Sequence, residues 1–210
     1  MVRIQQYLNS VGYNLKPDGV IGPRTISAAK EHAMRLTQRH GFDPWSNKGW
    51  VMLYIRTDQV FSNKFDDIGM VVFNGEVKSV FTCSTTAGDF YVFNPLTVGG
   101  VTGVAVAAPQ YVKDSHVFVT SRDWNTLWLK APYFKQVRPI KIFRDGNKDR
   151  RIDRTVTQTG LFGINLHRAG VASVVNRWSA GCNVAPDTEW FGVIKSFYNG
   201  LTASYCLVEE

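Results

Sequence analysis

Two hydrophobic rhythms divide this sequence, and they predict a small all-α helical domain at the N-terminus followed by a β-rich domain. Up to residue 40 the apolar positions recur at helical spacing: Ile4, Tyr7, Leu8 and Val11, then Ile26, Ala29, Ala33 and Leu36. From Trp50 onward the apolar runs are short and punctuated by turns, as where Ile68–Phe73 meets Asn74-Gly75. With 210 residues, 44% of them hydrophobic and 20% charged, the chain can bury one good core and carry a small appendage. The expected division is 1–40 helical, 41–49 linker and 50–210 β-rich.

Each element has a local reason. Gly12 stops the first helix, and Pro17-Asp18-Gly19 is a turn in which proline presets φ and glycine supplies φ > 0. Gly22-Pro23 opens the second helix, with proline in the first turn, where its missing N–H costs nothing. The segment ending in Gly41-Phe-Asp-Pro-Trp-Ser-Asn47 is polar and reads as the linker. Trp50–Arg56, Ile68–Phe73 and Glu76–Phe81 read as strands, followed by the small polar run Cys83–Gly88. His116 is expected as a satisfied surface histidine at a strand end. Trp124, Trp128, Tyr133 and Phe134 form an aromatic insertion, read first as packing and second as a sugar-stacking surface. Asp187 is expected to cap a helix carrying Trp190, Phe191 and Ile194, and Thr202–Val208 to close the fold with Cys206 in its core.

The chemistry concentrates late in the chain. Over Leu161–His167 a strand reading puts Leu161, Gly163, Asn165 and His167 on one side and Phe162, Ile164 and Leu166 on the other. Fifteen positions after His167 comes Cys182, behind Ala180-Gly181. A thiol needs a nearby base to act as a nucleophile at neutral pH, and imidazole is the usual one. A neighbouring glycine lets a substrate approach backbone N–H groups that hold a developing oxyanion. The bland alternative is an inert, buried thiol. Cys83 has no histidine nearby in sequence and is the lesser nucleophile candidate.

Ser179-Ala-Gly-Cys182 preceded by His167 resembles the signature of L,D-transpeptidase (YkuD-like) catalytic domains: a histidine, a spacer, then Ser/Thr-His-Gly-Cys. The resemblance implies a mainly β catalytic domain in which Cys182 attacks peptide bonds of cell-wall stems and His167 is the base. It implies Gly181 and Cys182 N–H groups as oxyanion donors and the Arg168 carbonyl as the group that orients the imidazole. Ser179, Ala180, Asn165, Trp178 and Asn183 are the expected substrate-binding residues, with Trp178 either cleft wall or core. The spacer is a few residues short, and Ala180 stands where the motif has its second histidine. Residues 1–40 in turn resemble the small three-helix peptidoglycan-binding domain, through Gln5, Leu8, Gly12-Tyr13, Asp18-Gly19-Val20-Ile21-Gly22-Pro23, Thr25 and Ala28-Ala29.

Charge and composition bound the partners. A net charge of +7 implies polyanionic surroundings, which nucleic acid and the bacterial envelope both provide; no nucleic-acid motif accompanies it. Charge alone does not choose between them; the two resemblances imply peptidoglycan as the partner, and the expectation is no nucleic acid, no membrane insertion and a monomeric chain. Three cysteines at no framework spacing give no disulfide scaffold. Asp145, Asn147, Asp149 and Asp153 match four positions of a calcium loop, but Arg150 replaces its glycine and Val156 its glutamate. A calcium ion is thus a minor expectation and no other cofactor is expected. Met1–Gln6 has no apolar export segment. The expectation is a phage endolysin-like enzyme made in the host cytoplasm and acting on the wall after release. Cross-link formation by transpeptidation and a non-catalytic wall-binding protein are the alternatives.

Overall fold

The computed structural model describes residues 1–98, 100–120, 132–170 and 173–210. Trp124 and Trp128 of the expected aromatic insertion lie outside them. Two helices come first, α1 (Val2–Ser10) and α2 (Pro23–Arg39), then β1 (Trp50–Arg56), β2 (Asp67–Phe73) and β3 (Glu76–Cys83). A short α3 (Asp89–Phe93) and the strand pair β4 (Thr97–Val98) and β5 (Val101–Thr102) lead to β6 (Val104–Ala107) and β7 (Gln110–Val119). β8 (Tyr133–Gln136), β9 (Ile140–Asp145), β10 (Thr157–Gly160) and β11 (Leu166–Arg168) follow. The chain ends with β12 (Asn183–Ala185), α4 (Asp187–Ile194) and β13 (Thr202–Glu209).

Eight strands form one sheet in the order β12-β11-β8-β7-β13-β1-β2-β3. Its two edges meet where Ser84 and Val184 exchange N–H···O bonds of 2.8 and 2.9 Å. That bridge curls the sheet into a near-barrel and removes the open edges that a flat sheet would expose. Met52, Tyr54, Phe81, Phe118, Phe134, Tyr205 and Leu207 fill the inside. A second sheet, β10-β9-β6, lies alongside.

The mainly β architecture does not carry an independent helical domain; that expectation is corrected. Ile4 and Leu8 of α1 and Ala29, Ala33 and Leu36 of α2 share one core with the outer faces of β1, β2 and β13. Val51, Leu53, Ile55, Ile68, Met70, Val72, Cys206 and Val208 supply the barrel's half of it. Helices of nine and 17 residues have too little apolar surface to form a core between themselves, so they use the sheet. The same fact explains why β1 reads as an unbroken apolar run: both of its faces are covered. The expected linker is packed as well. Phe42 and Trp45 join this core, and the Trp45 indole donates to Thr37 at 2.9 Å. Polar ties reach the far end of the chain, where Tyr7 donates to Glu210 at 3.0 Å.

Two local readings also change. The expected strand through His167 is interrupted: β10 ends at Gly160, and residues 161–165 turn around Gly163 (φ 71°) before β11 begins. Asp187 does not cap α4 but opens its first turn, paired with Arg168 at 2.5 Å. The Asp18-Gly19 string has a structural meaning. Gln5 donates to Asp18 Oδ1 and Val20 O at 3.0 Å each and accepts Gly19 N–H at 2.8 Å, tying the turn to α1.

Candidate functional site

The parallel pairing of β11 with β12 assembles the candidate site. Leu166 lies opposite Asn183, and His167 opposite Val184. Paired residues share a face, and alternate residues return to it, so His167, Val184 and Cys182 look the same way. Cys182 packs with Val184, Ala169, Val175 and Trp178 on that face. Asn183 points instead into the barrel, donating to the Tyr205 hydroxyl at 3.0 Å, and is 1% exposed. It is not at the cleft, which corrects its expected role in substrate binding.

His167 is buried, and its Nδ1 lies 2.7 Å from the Arg168 carbonyl. A carbonyl only accepts, so Nδ1 carries the proton and Nε2 is left with the lone pair. Burial lowers the imidazole to about pKa 4, against a small lift from that hydrogen bond. The ring is therefore neutral and able to accept a proton at pH 7. The Arg168 side chain holds the peptide in place by pairing with Asp187 and lying over Phe191, 5.9 Å from its centroid.

The loop before Cys182 is shaped by Ser179 and Gly181. Ser179 is 1% exposed; its hydroxyl accepts Gly181 N–H at 3.0 Å and donates to Cys182 O at 2.7 Å. With its hydroxyl so engaged, Ser179 clamps the loop and does not meet substrate. Gly181 adopts φ 140°, and a Cβ there would sit 2.1 Å from the Ala105 carbonyl oxygen. The glycine is required by the close passage of β6, and its N–H is engaged by Ser179. The expected Gly181 oxyanion donor is thus already occupied, leaving Cys182 N–H.

The Cys182 thiol donates to Gly163 O at 3.3 Å. Burial pushes it up to about pKa 11, while the N–H groups of Asn165 and Cys182 pull the other way. The resting pair is thus neutral thiol and neutral imidazole. Cys182 lines a pocket of about 90 Å³ together with Ala180, Gly163, Phe162 and Arg144.

Residues without a sequence signal hold this pocket. Gln136 Oε1 accepts the N–H groups of Phe162 and Ile164 at 3.1 and 3.0 Å, and its own N–H donates to Asn165 Oδ1 at 3.0 Å. His116, expected at the surface, is fully buried, with Nε2 2.9 Å from Ile164 O and the ring lowered to about pKa 4 by burial. Both act between strands distant in sequence, so no local pattern marks them. Trp178 is a wall beside Cys182, packed over Gly170. Cys83 and Cys206 are fully buried, Phe134 belongs to the barrel interior, and its neighbour Tyr133 is buried.

The calcium-loop segment closes on itself. Asp145 accepts Asp153 N–H, Asn147 accepts Asp149 N–H, and Asp149 accepts Arg151 N–H, at 2.8, 3.0 and 2.7 Å. Among the described residues no three His, Cys, Asp or Glu side chains gather as metal ligands. No described helix is long and apolar enough to cross a membrane.

No protein-family model matches the chain, and no curated protein matches it. Among solved structures it is similar to an L,D-transpeptidase (residues 123–326) from Xylanimonas cellulosilytica, at 15% identity and TM-score 0.38, covering 98% of this chain and 91% of that one. It is also similar to an L,D-transpeptidase (Yku) from Stackebrandtia nassauensis, at 13% identity and TM-score 0.39, covering 97% and 89%.

Proposed function

We propose that this protein is a cysteine acyltransferase acting on peptidoglycan stem peptides, in the manner of an L,D-transpeptidase. The observation that carries the reading is the β11–β12 register, which sets Cys182 on the face of a neutral His167 whose Nδ1–H is tied to Arg168 O at 2.7 Å. In the first half-reaction His167 Nε2 takes the thiol proton as sulfur attacks the amide carbon, and Cys182 N–H meets the oxyanion. Collapse breaks the C–N bond, and the departing amine takes the proton from His167. The thioester is then resolved by an acceptor amine, whose proton passes through His167 back to sulfur. Water in place of the amine gives hydrolysis.

The choice of cell-wall peptide rests on the Ser179–Cys182 motif and on the basic charge of +7, which suits a polyanionic envelope. No feature of the site favours the phage-type lytic expectation, which rested on the start of the chain. Wild type and Cys182→Ala are incubated with purified sacculi, and the muropeptides are analysed by mass spectrometry. Cys182-dependent new cross-links or exchange of stem-peptide residues establishes transfer. Cys182-dependent loss of cross-linked dimers instead establishes an endopeptidase, and bound but unchanged sacculi with both proteins leave a wall-binding module.

A further inference from the structure

Arg144 is the unusual group in the Cys182 pocket. It sits on β9 opposite Ala105, the residue whose carbonyl passes Gly181, and is only 6% exposed. A buried guanidinium is costly unless its charge is compensated. Among the described residues Arg144 has only neutral acceptors: Nε donates to Gln158 Oε1 and Nη1 to Gly103 O, both at 3.1 Å. Its other neighbour is the Phe162 ring, with the guanidinium carbon 5.4 Å from the centroid. Among the described residues no carboxylate pairs with it, and none lines the pocket. A guanidinium has five N–H donors, so Nη2 and the second Nη1 hydrogen remain for a ligand.

We infer that Arg144 is a specificity residue that receives a carboxylate of the acyl donor, beside the amide attacked by Cys182. Of these three N–H groups, one on each Nη of the planar fork suits one of the two oxygens of a carboxylate, a match a neutral carboxamide does not offer. Phe162 excludes water from the pair on one side, and the pocket size admits a small acidic group rather than a folded chain. The assignment of the acid to a stem peptide rests on the proposed function; the carboxylate preference of the pocket does not.

The test uses iodoacetate and iodoacetamide, which alkylate the same thiol and differ in carboxylate against carboxamide. Rates at Cys182 are followed by peptide mass spectrometry in the folded full-length chain and at the same residue in the urea-unfolded chain. The expected iodoacetate-to-iodoacetamide rate ratio is about tenfold higher in the folded wild type, the scale of one charge-assisted hydrogen-bonded pair. Arg144→Gln returns the ratio to the unfolded value, and Arg144→Lys keeps part of it. Arg151→Gln, which removes an exposed charge, leaves the ratio within a factor of about two, the scale of a screened surface charge. The inference is overturned by a wild-type ratio equal to the unfolded one, by no alkylation of folded Cys182, or by an Arg144→Gln effect no larger than that of Arg151→Gln.

Sacculus turnover by the same proteins separates the two claims. An Arg144-dependent ratio with inert sacculi keeps the carboxylate pocket and discards the cell-wall reading. Cys182-dependent turnover with a ratio indifferent to Arg144 does the reverse.

Discussion

The barrel wall under α1 and α2 and the seam between β11 and β12 handle burial in opposite ways. On the wall each apolar face has a partner, and buried charge is matched: Arg56 meets Glu209 at 2.5 Å, and Glu209 also meets Arg154 at 2.6 Å. At the seam, reactive groups are left short of partners. Nε2 of His167 keeps a lone pair, Cys182 has one hydrogen bond to a carbonyl, and in the pocket beside it Arg144 meets no carboxylate among the described residues. Saturated groups specify one structure; unsaturated ones retain the capacity to bind and react.

The largest effects are expected at the seam. Cys182→Ala abolishes muropeptide turnover, and His167→Gln slows it by about 10²–10⁴-fold, the usual share of a general base. Steady-state rates measured beside urea unfolding check that the loss is chemical. A His167→Gln rate equal to wild type removes the base from the proposed mechanism.

On the wall, stability is what changes. Arg56→Met leaves Glu209 buried with only its Arg154 contact and costs about 3–5 kcal/mol by urea denaturation. Leu36→Ala costs about 2–5 kcal/mol although it lies in α2. Its unfolding is expected as one transition with a lowered midpoint, because helix and barrel share a core. Two separated transitions would restore an independent helical domain.

Acid sharpens the comparison further. His116 and His167 are both held near pKa 4 when folded, below the ordinary 6.5. The unfolded chain takes up protons that the folded one refuses, so stability present above pH 6.5 is lost as pH falls towards 4. Each histidine is worth about 3 kcal/mol over that window. Asp67, raised to about 6 by burial, works the other way and returns some stability as pH falls from 6 to 3.8. Melting temperatures at pH 7 and pH 4.5 are expected to show a net loss, smaller in His116→Gln. At the other extreme, Cys182 alkylation by iodoacetamide is expected to keep rising with pH towards 11.

The smallest effect falls on the loop. Ser179→Ala leaves Gly181 N–H and Cys182 O without their side-chain partner and costs about 1–3 kcal/mol. Turnover is expected to fall with stability, since the hydroxyl shapes the nucleophile's turn. An unchanged melting temperature would return Ser179 to the list of groups that meet substrate.

Much of this contrast was legible before folding. Short apolar runs bounded by turns placed β1 and β2, and a period of 3.6 placed both N-terminal helices, because these patterns are local properties of the chain. The resemblance carried by Ser179–Cys182 names His167 and the Arg168 carbonyl, and those two are hydrogen-bonded to each other at 2.7 Å. What the helices pack against was not readable, since an apolar stripe records that it needs a partner and not which one. Asn183 is expected among the substrate-binding residues, yet strand alternation turns it inward towards Tyr205. Gln136, His116 and Arg144 carry no local mark at all.

By itself, then, the sequence determined the short-range facts: the short apolar strands, the turn at Asp18-Gly19, and a cysteine and histidine of the right kinds near each other. Tertiary structure decided which groups end up short of partners. β6 passing within contact of Gly181, Gln136 gripping residues 162 and 164, and β9 bringing Arg144 to the thiol all join segments far apart in the chain. Such contacts depend on closing long loops around a common core, and no local spacing encodes them.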